Sequence, residues 1–135
     1  MIIKNIQRKI KNKYYKTMKG EIVKSKAELR IANFLYEQKI KYRYEPIVER
    51  SNGGINRPDF YLNDYDVFIE YFGMLGEKKY NYEIKLKLDT FKEEGLKVIC
   101  LYPNNFKNVE YIIKKRFEEL TKRTFPQRKF IPYYE

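Results

Sequence analysis

The sequence predicts an α/β domain, and three stretches carry that prediction. Residues 57–62 and 66–73 are dense in aromatic and β-branched side chains on either side of a turn-prone Asn63-Asp64, the pattern of two paired strands. Upstream, Ser25 and Glu28 form an S-x-x-E capping box, and Glu28, Ile31, Ala32 and Leu35 recur at helical spacing behind it. Downstream, an amphipathic stretch over 80–94 stops at Gly95 and gives way to the apolar run Val98–Leu101. With a strand before residue 57 and a helix after residue 104, the order is helix, three strands, helix, strand, helix.

The chain has 135 residues, enough for one domain with a real hydrophobic core. The expected organisation is a basic arm or helix over 1–22, a core over 23–121 and a tail over 122–135. Charged residues make up 35% and aromatics 17%, with no low-complexity run, so the chain should be globular. The net charge of +11 predicts attraction to a polyanion, nucleic acid first among candidates; a solvated lysine-rich surface is the bland alternative. There is no histidine, which removes Ser-His-Asp and Cys-His catalysis and histidine-ligated zinc. The single cysteine, Cys100, can form no intramolecular disulfide and reads as a buried core thiol. No apolar stretch approaches the ~20 residues of a membrane span, and Met1-Ile2-Ile3-Lys4 opens no secretory signal. An intracellular, cytoplasmic protein is expected, compatible with a cellular, viral or mobile-element source.

Taken in order, residues 1–20 carry lysines and arginines among apolar residues and no acid. Ile3, Ile6 and Ile10 predict a short basic helix ending before Gly20, either an arm on phosphates or a helix packed on the core. In the helix over 25–38, capping alone explains Glu28, yet its place on the apolar stripe aims its carboxylate at the sheet. Burying that charge without a partner is costly, and a cation, directly or through water, would supply one. Tyr42 to Val48 reads as a strand, with Pro46 marking an edge or an irregularity. Ser51-Asn52-Gly53-Gly54 is a loop.

If the next hairpin turns at Asp64-Tyr65, Asp59 lies directly across from Glu70. Opposed residues of an antiparallel pair keep their Cβ atoms roughly 4.5–5.5 Å apart. Two carboxylates that close repel unless a cation bridges them or one holds a proton, and a hard divalent ion such as Mg²⁺ suits oxygen donors. A different register would leave Asp59 a turn residue and Glu70 a solvated strand residue. In the helix over 80–94, Tyr80, Ile84, Lys87, Leu88 and Phe91 share one face, which sets Lys87 inside the apolar stripe. Its stem either snorkels over apolar surface or carries the ammonium inward to an anion. Val109, Ile112, Ile113, Arg116, Phe117 and Leu120 then describe the last amphipathic helix.

This order of elements, with S-K-x-E, R-P-D-F and F-I-E-Y-F-G at its joints and Tyr80, Lys87 and Phe91 before Gly95, resembles the PD-(D/E)xK nuclease superfamily over about residues 22–120. The resemblance implies a restriction-endonuclease-like core: a central mixed four-stranded sheet flanked by helices. It implies a metal-dependent endonuclease acting on DNA with Mg²⁺ or Mn²⁺, structure-specific for a junction or nick. Asp59 and Glu70 would hold the metal with the backbone carbonyl of Tyr71. Glu28 would hold a second metal or an outer water, and Lys87 would orient the attacking water. The chain departs from the pattern at Phe72, where the superfamily places its lysine two residues after the acid. Lys87 matches members whose lysine has moved to the next helix. A homodimer is expected, since cutting two strands needs two sites, and a nuclease-like module that binds without cutting is the alternative.

Overall fold

The computed structural model describes residues 14–74 and 76–126. Two short strands, β1 (Tyr15–Lys16) and β2 (Ile22–Val23), pair antiparallel and open the described chain. The helix predicted near the amino terminus therefore does not extend into residues 14–20. Tyr15 and Lys16 are extended, and Gly20, at a φ of +115° that L side chains rarely adopt, sits in the connection between the strands. The part of that prediction resting on Ile3, Ile6 and Ile10 lies outside the described residues.

Helix α1 (Lys26–Glu37) begins where the capping signal placed it: the Ser25 hydroxyl accepts the Glu28 N–H at 3.0 Å. Three strands follow as β3 (Tyr42–Tyr44), β4 (Val48–Glu49) and β5 (Ile55–Asn56). The single strand expected over 42–48 is broken, because Pro46 cannot donate to a ladder. β3 stays in the main sheet, while β4 and β5 form a separate small hairpin around the predicted loop at Ser51–Gly54. Then come β6 (Phe60–Leu62), β7 (Val67–Tyr71), α2 (Lys78–Glu93), β8 (Val98–Leu101), a 3₁₀ turn over Pro103–Lys107 and α3 (Val109–Thr121).

The main sheet has the order β3-β6-β7-β8, with β3 at one edge. β3 pairs antiparallel with β6 and β6 with β7, while β8 joins parallel to β7, so the described chain is an α/β domain on a mixed four-stranded sheet. A parallel neighbour needs a crossover, and α2 supplies it. On one face α1 and α3 cover Phe60, Leu62, Val67, Ile69, Ile99 and Leu101, each fully buried. Arg30 of α1 and Glu110 of α3 close that layer with two 3.0 Å hydrogen bonds. On the other face α2 packs Ile84 and Phe91 on Phe72, with Val98 and Cys100 alongside. Cys100 is half-buried in this smaller cluster, less enclosed than the apolar run around it suggested.

Candidate active site

The hairpin of β6 and β7 sets the site. Phe60 pairs with Ile69, Tyr61 with Phe68 and Leu62 with Val67, so one step further Asp59 stands opposite Glu70. The register follows from turn chemistry: residues 63–66 make the connection, and Asp66 takes a left-handed φ of +53°, which Asp tolerates better than most residues. Alternation then does the rest. Val67 and Ile69 point to the α1/α3 core, so Phe68, Glu70 and Phe72 point to the α2 side.

Glu70 is 4% exposed, a carboxylate held out of water beside Asp59. Asp59 Oδ2 accepts the Tyr71 backbone N–H at 2.7 Å, which fixes its orientation. The next peptide N–H, that of Phe72, donates to Leu101 on the far side of β7 at 2.8 Å. Across that trans peptide the Tyr71 carbonyl therefore points back toward the Asp59 side. Burial pushes the Asp59 carboxyl well above its ordinary range, with the neighbouring Glu70 charge second and Glu28 adding to it. Burial likewise raises Glu70, against the opposing pull of Lys87. The pair therefore holds a proton more readily than free carboxylates do.

Lys87 ion-pairs with the acid pair, its Nζ 3.7 Å from Glu70 Oε2. The route differs from the one periodicity predicted. The Lys87 side chain is 54% exposed, and Leu88 is 36% exposed, so neither belongs to a buried stripe. Of α2, only Ile84 and Phe91 are buried, and Lys87 leans in from the rim. Its ammonium lies 5.9 Å from the centre of the Phe72 ring. A positive charge thus stands beside residue 72, brought there by the next helix.

Glu28 is buried at 8% exposure and faces the sheet, as its place on the stripe predicted. Its Oε1 accepts the Lys24 N–H at 2.9 Å and the Tyr44 hydroxyl at 3.2 Å. Both bonds use Oε1, and Glu28 acts on Asp59 and Glu70 through its charge. Among the described residues, no three acidic, histidine or cysteine side chains converge closely enough to hold a metal by themselves. What converges is Asp59, Glu70 and Lys87. Two carboxylates and an adjacent backbone carbonyl still suit a hard cation that keeps several waters, as Mg²⁺ does.

Tyr44 is a site-shaping residue that the sequence reading passed over. The available signal was its alternation with Tyr42, which sets both rings against Phe60, on the side from which α1 approaches. Behind β7, Gly73 meets the folded-back Tyr71 ring, where an added Cβ would lie 2.8 Å from a ring carbon. Beside the site, a cavity of about 210 Å³ is lined by Phe72, Tyr80, Ile84 and Lys87 among others. Cys100 pairs across from Glu70, and burial pushes its thiol up to about 11, so it is protonated at neutral pH and no nucleophile.

No family model matches the chain, and no solved structure matches it. An uncharacterized protein of Methanocaldococcus jannaschii is 35% identical to it over 95 residues. That similarity takes in 68% of this chain, which spans only 8% of the relative's length. Among the described residues no helix is long and apolar enough to cross a membrane.

Proposed function

We propose that this chain is a metal-dependent endodeoxyribonuclease of the PD-(D/E)xK type, hydrolysing DNA phosphodiester bonds at a branched or nicked structure. One observation carries the reading: Asp59 and Glu70 oppose each other across a hairpin, and the Lys87 ammonium reaches Glu70 at 3.7 Å from the following helix. The mixed sheet with α2 as its crossover supports the same reading.

Asp59 and Glu70, with the Tyr71 carbonyl, would hold Mg²⁺ or Mn²⁺, which when bound supplies a Lewis acid and a water of lowered pKa. The chain's own residues do the remaining work. The Tyr71 N–H locks the Asp59 carboxylate in one orientation. Lys87, partly open to solvent, meets the scissile phosphate and stabilises charge developing on its oxygens. Glu28, through its charge and its bond to Tyr44, keeps the acidic pocket electron-rich and tightens its demand for a cation. No histidine is needed. A homodimer would bring two such sites to two strands.

A cleavage panel of branched, nicked, single-stranded and plain duplex DNA with Mg²⁺ or Mn²⁺ tests this. Cleavage should require the metal, and Asp59→Ala should abolish it while leaving DNA affinity equal or higher, since a repulsive charge is gone. Binding should weaken with salt at a log–log slope of ~0.9 per phosphate contact on duplex DNA. Full metal-dependent activity in pure Asp59→Ala protein would overturn the site.

A second reading has its own support. Phe72 stands where the motif's lysine belongs, and Lys87 is engaged with the very carboxylate that a metal would need. Salt-sensitive DNA binding by the wild type with no cleavage under any metal would make the domain a nuclease-like recruitment module.

A further inference from the structure

A second concavity lies away from the carboxylates. It has a volume of about 790 Å³ and sits between the β1–β2 turn, the end of α1, the start of β3 and Asn63 in the β6–β7 turn. Its walls present Tyr36, 48% exposed, and Met18, 56% exposed. Around them stand Lys19, Lys39, Lys41 and Arg43, against a single acid, Glu37. Lys19 is used internally, on the Tyr42 carbonyl at 2.6 Å, and Arg43 lies over the Tyr61 ring at 5.2 Å. Lys39 and Lys41 are exposed, and neither is in an ion pair among the described residues.

The charge and the apolar wall together narrow the occupant. The exposed lysines favour an anion, and the segments on either side of the described residues are predominantly basic. Residues 1–13 hold Lys4, Arg8, Lys9, Lys11 and Lys13 with no acid, and residues 127–135 add Arg128 and Lys129 against Glu135. A peptide of acidic residues alone would satisfy the lysines but bring no flat apolar faces to Tyr36 and Met18. A nucleic-acid strand alternates phosphates with π-faces, which is the chemistry this lining meets. In a duplex those faces are hidden in the stack, so the strand must be unpaired.

We propose that this groove binds an unpaired DNA strand, with a base stacked on Tyr36 and phosphates on Lys39 and Lys41. The proposal rests on the nuclease reading for what happens to the strand, and it narrows the substrate to DNA with a single-stranded arm beside the cut. The chain from Asp59 to Asn63 contains β6 and is tied at both ends to the residues flanking β3, by Glu45 N–H to Asp59 O and Asn63 N–H to Lys41 O. That short run of chain links the turn at Asn63, on the groove's wall, to Asp59.

Anisotropy titrations with an oligothymidylate and an abasic strand of equal length, without metal, read the groove directly. The wild type should prefer the oligothymidylate. Tyr36→Ala should weaken that binding roughly tenfold and leave the abasic strand unaffected, while Tyr36→Phe keeps wild-type affinity. Lys39→Ala with Lys41→Ala should lower the salt slope by about 0.7 per lysine. Tyr36 is half-exposed, so its loss spares the fold, and a thermal melt checks that.

Equal oligothymidylate affinity in Tyr36→Ala and wild type overturns the groove. So does displacement of the strand by polyglutamate at equal charge, which would make it a general anion or protein surface. A wild-type dimer that Tyr36→Ala dissociates would make it a contact between copies of the chain and overturn it likewise. The nuclease reading fails separately: a Tyr36-dependent preference without cleavage leaves the groove standing, and cleavage with no Tyr36 dependence removes the groove alone.

Discussion

On one face of the sheet, α1 and α3 seal a continuous apolar layer in which Ile31, Leu35, Ile113 and Phe117 meet six fully buried strand residues. On the other, the sixteen residues of α2 bury only Ile84 and Phe91. Polar ties make up part of the difference. Glu94, just past the end of α2, accepts hydrogen bonds from Ser51 N–H at 3.2 Å and Ser51 hydroxyl at 3.1 Å, and lies 3.7 Å from Arg50 Nε. These bonds fasten α2 to the β4–β5 hairpin, which leads directly into Asp59. The carboxylates sit on the thinly packed side, where burial is deep enough to raise their proton affinity and shallow enough to admit a ligand. Most of the apolar burial lies on one face and the acid pair on the other.

Removing a ring from each face should separate the two most widely. Phe117→Ala, emptying space at a fully buried position, should cost about 3–5 kcal/mol. Phe91→Ala, at the edge of the small cluster, should cost clearly less and should lower any cleavage by loosening α2. Equal denaturant midpoints for the two variants would break the comparison.

Charge on α2 should sharpen it. Lys87→Met should retain the fold and lower turnover by ~10²–10³, the scale of losing one transition-state donor. Lys85→Met, exposed and without an ion pair among the described residues, should change turnover little. Single-turnover rates at saturating DNA measure both, and wild-type rates in each would leave Lys87 a partner of Glu70 and nothing more.

The smallest effect is on stability against pH. Asp59 and Glu70 bind protons more tightly folded than unfolded, so between the ordinary carboxylate range and their raised values the folded state holds more protons. Metal-free protein should therefore lose stability as pH rises from about 4 through that window. Asp59→Asn should flatten most of the loss, and saturating Mg²⁺ should do the same above the window. Thermal melts across the range check the sign, and a wild-type curve rising with pH would contradict it.

Local chemistry made the hairpin and its register legible in the sequence, because turn residues and a period of two leave few alternatives near Asn63-Asp64. Ser25 and Glu28 announced the start of α1 for the same reason. What stayed hidden depended on distant partners. β1, β2, β4 and β5 are two-residue strands whose pairing no periodicity can reveal. The depth of Lys87 was misread because helical spacing assigns a face and says nothing of how far a neighbouring sheet extends over it. Here the apolar contact stops at Ile84 and Phe91. Glu28 was read correctly as sheet-facing, but its bonds to Lys24 and Tyr44 come from folds in the chain that spacing does not encode.

The parallel strand β8 has a consequence for the order in which the molecule assembles. β6 and β7 are joined by residues 63–66, so Asp59 and Glu70 can meet after closing a very short loop. β8 must wait for residues 72–97 to cross over, and Lys87 travels within that segment. Closing the longer loop costs more chain entropy before any contact rewards it. Leu62→Ala should accordingly slow folding, whereas Ile99→Ala should chiefly hasten unfolding, a contrast that stopped-flow chevrons would read. On that order the acid pair should meet before its lysine arrives, so a divalent cation present during refolding should speed formation of the hairpin, which the same stopped-flow traces with and without Mg²⁺ would read.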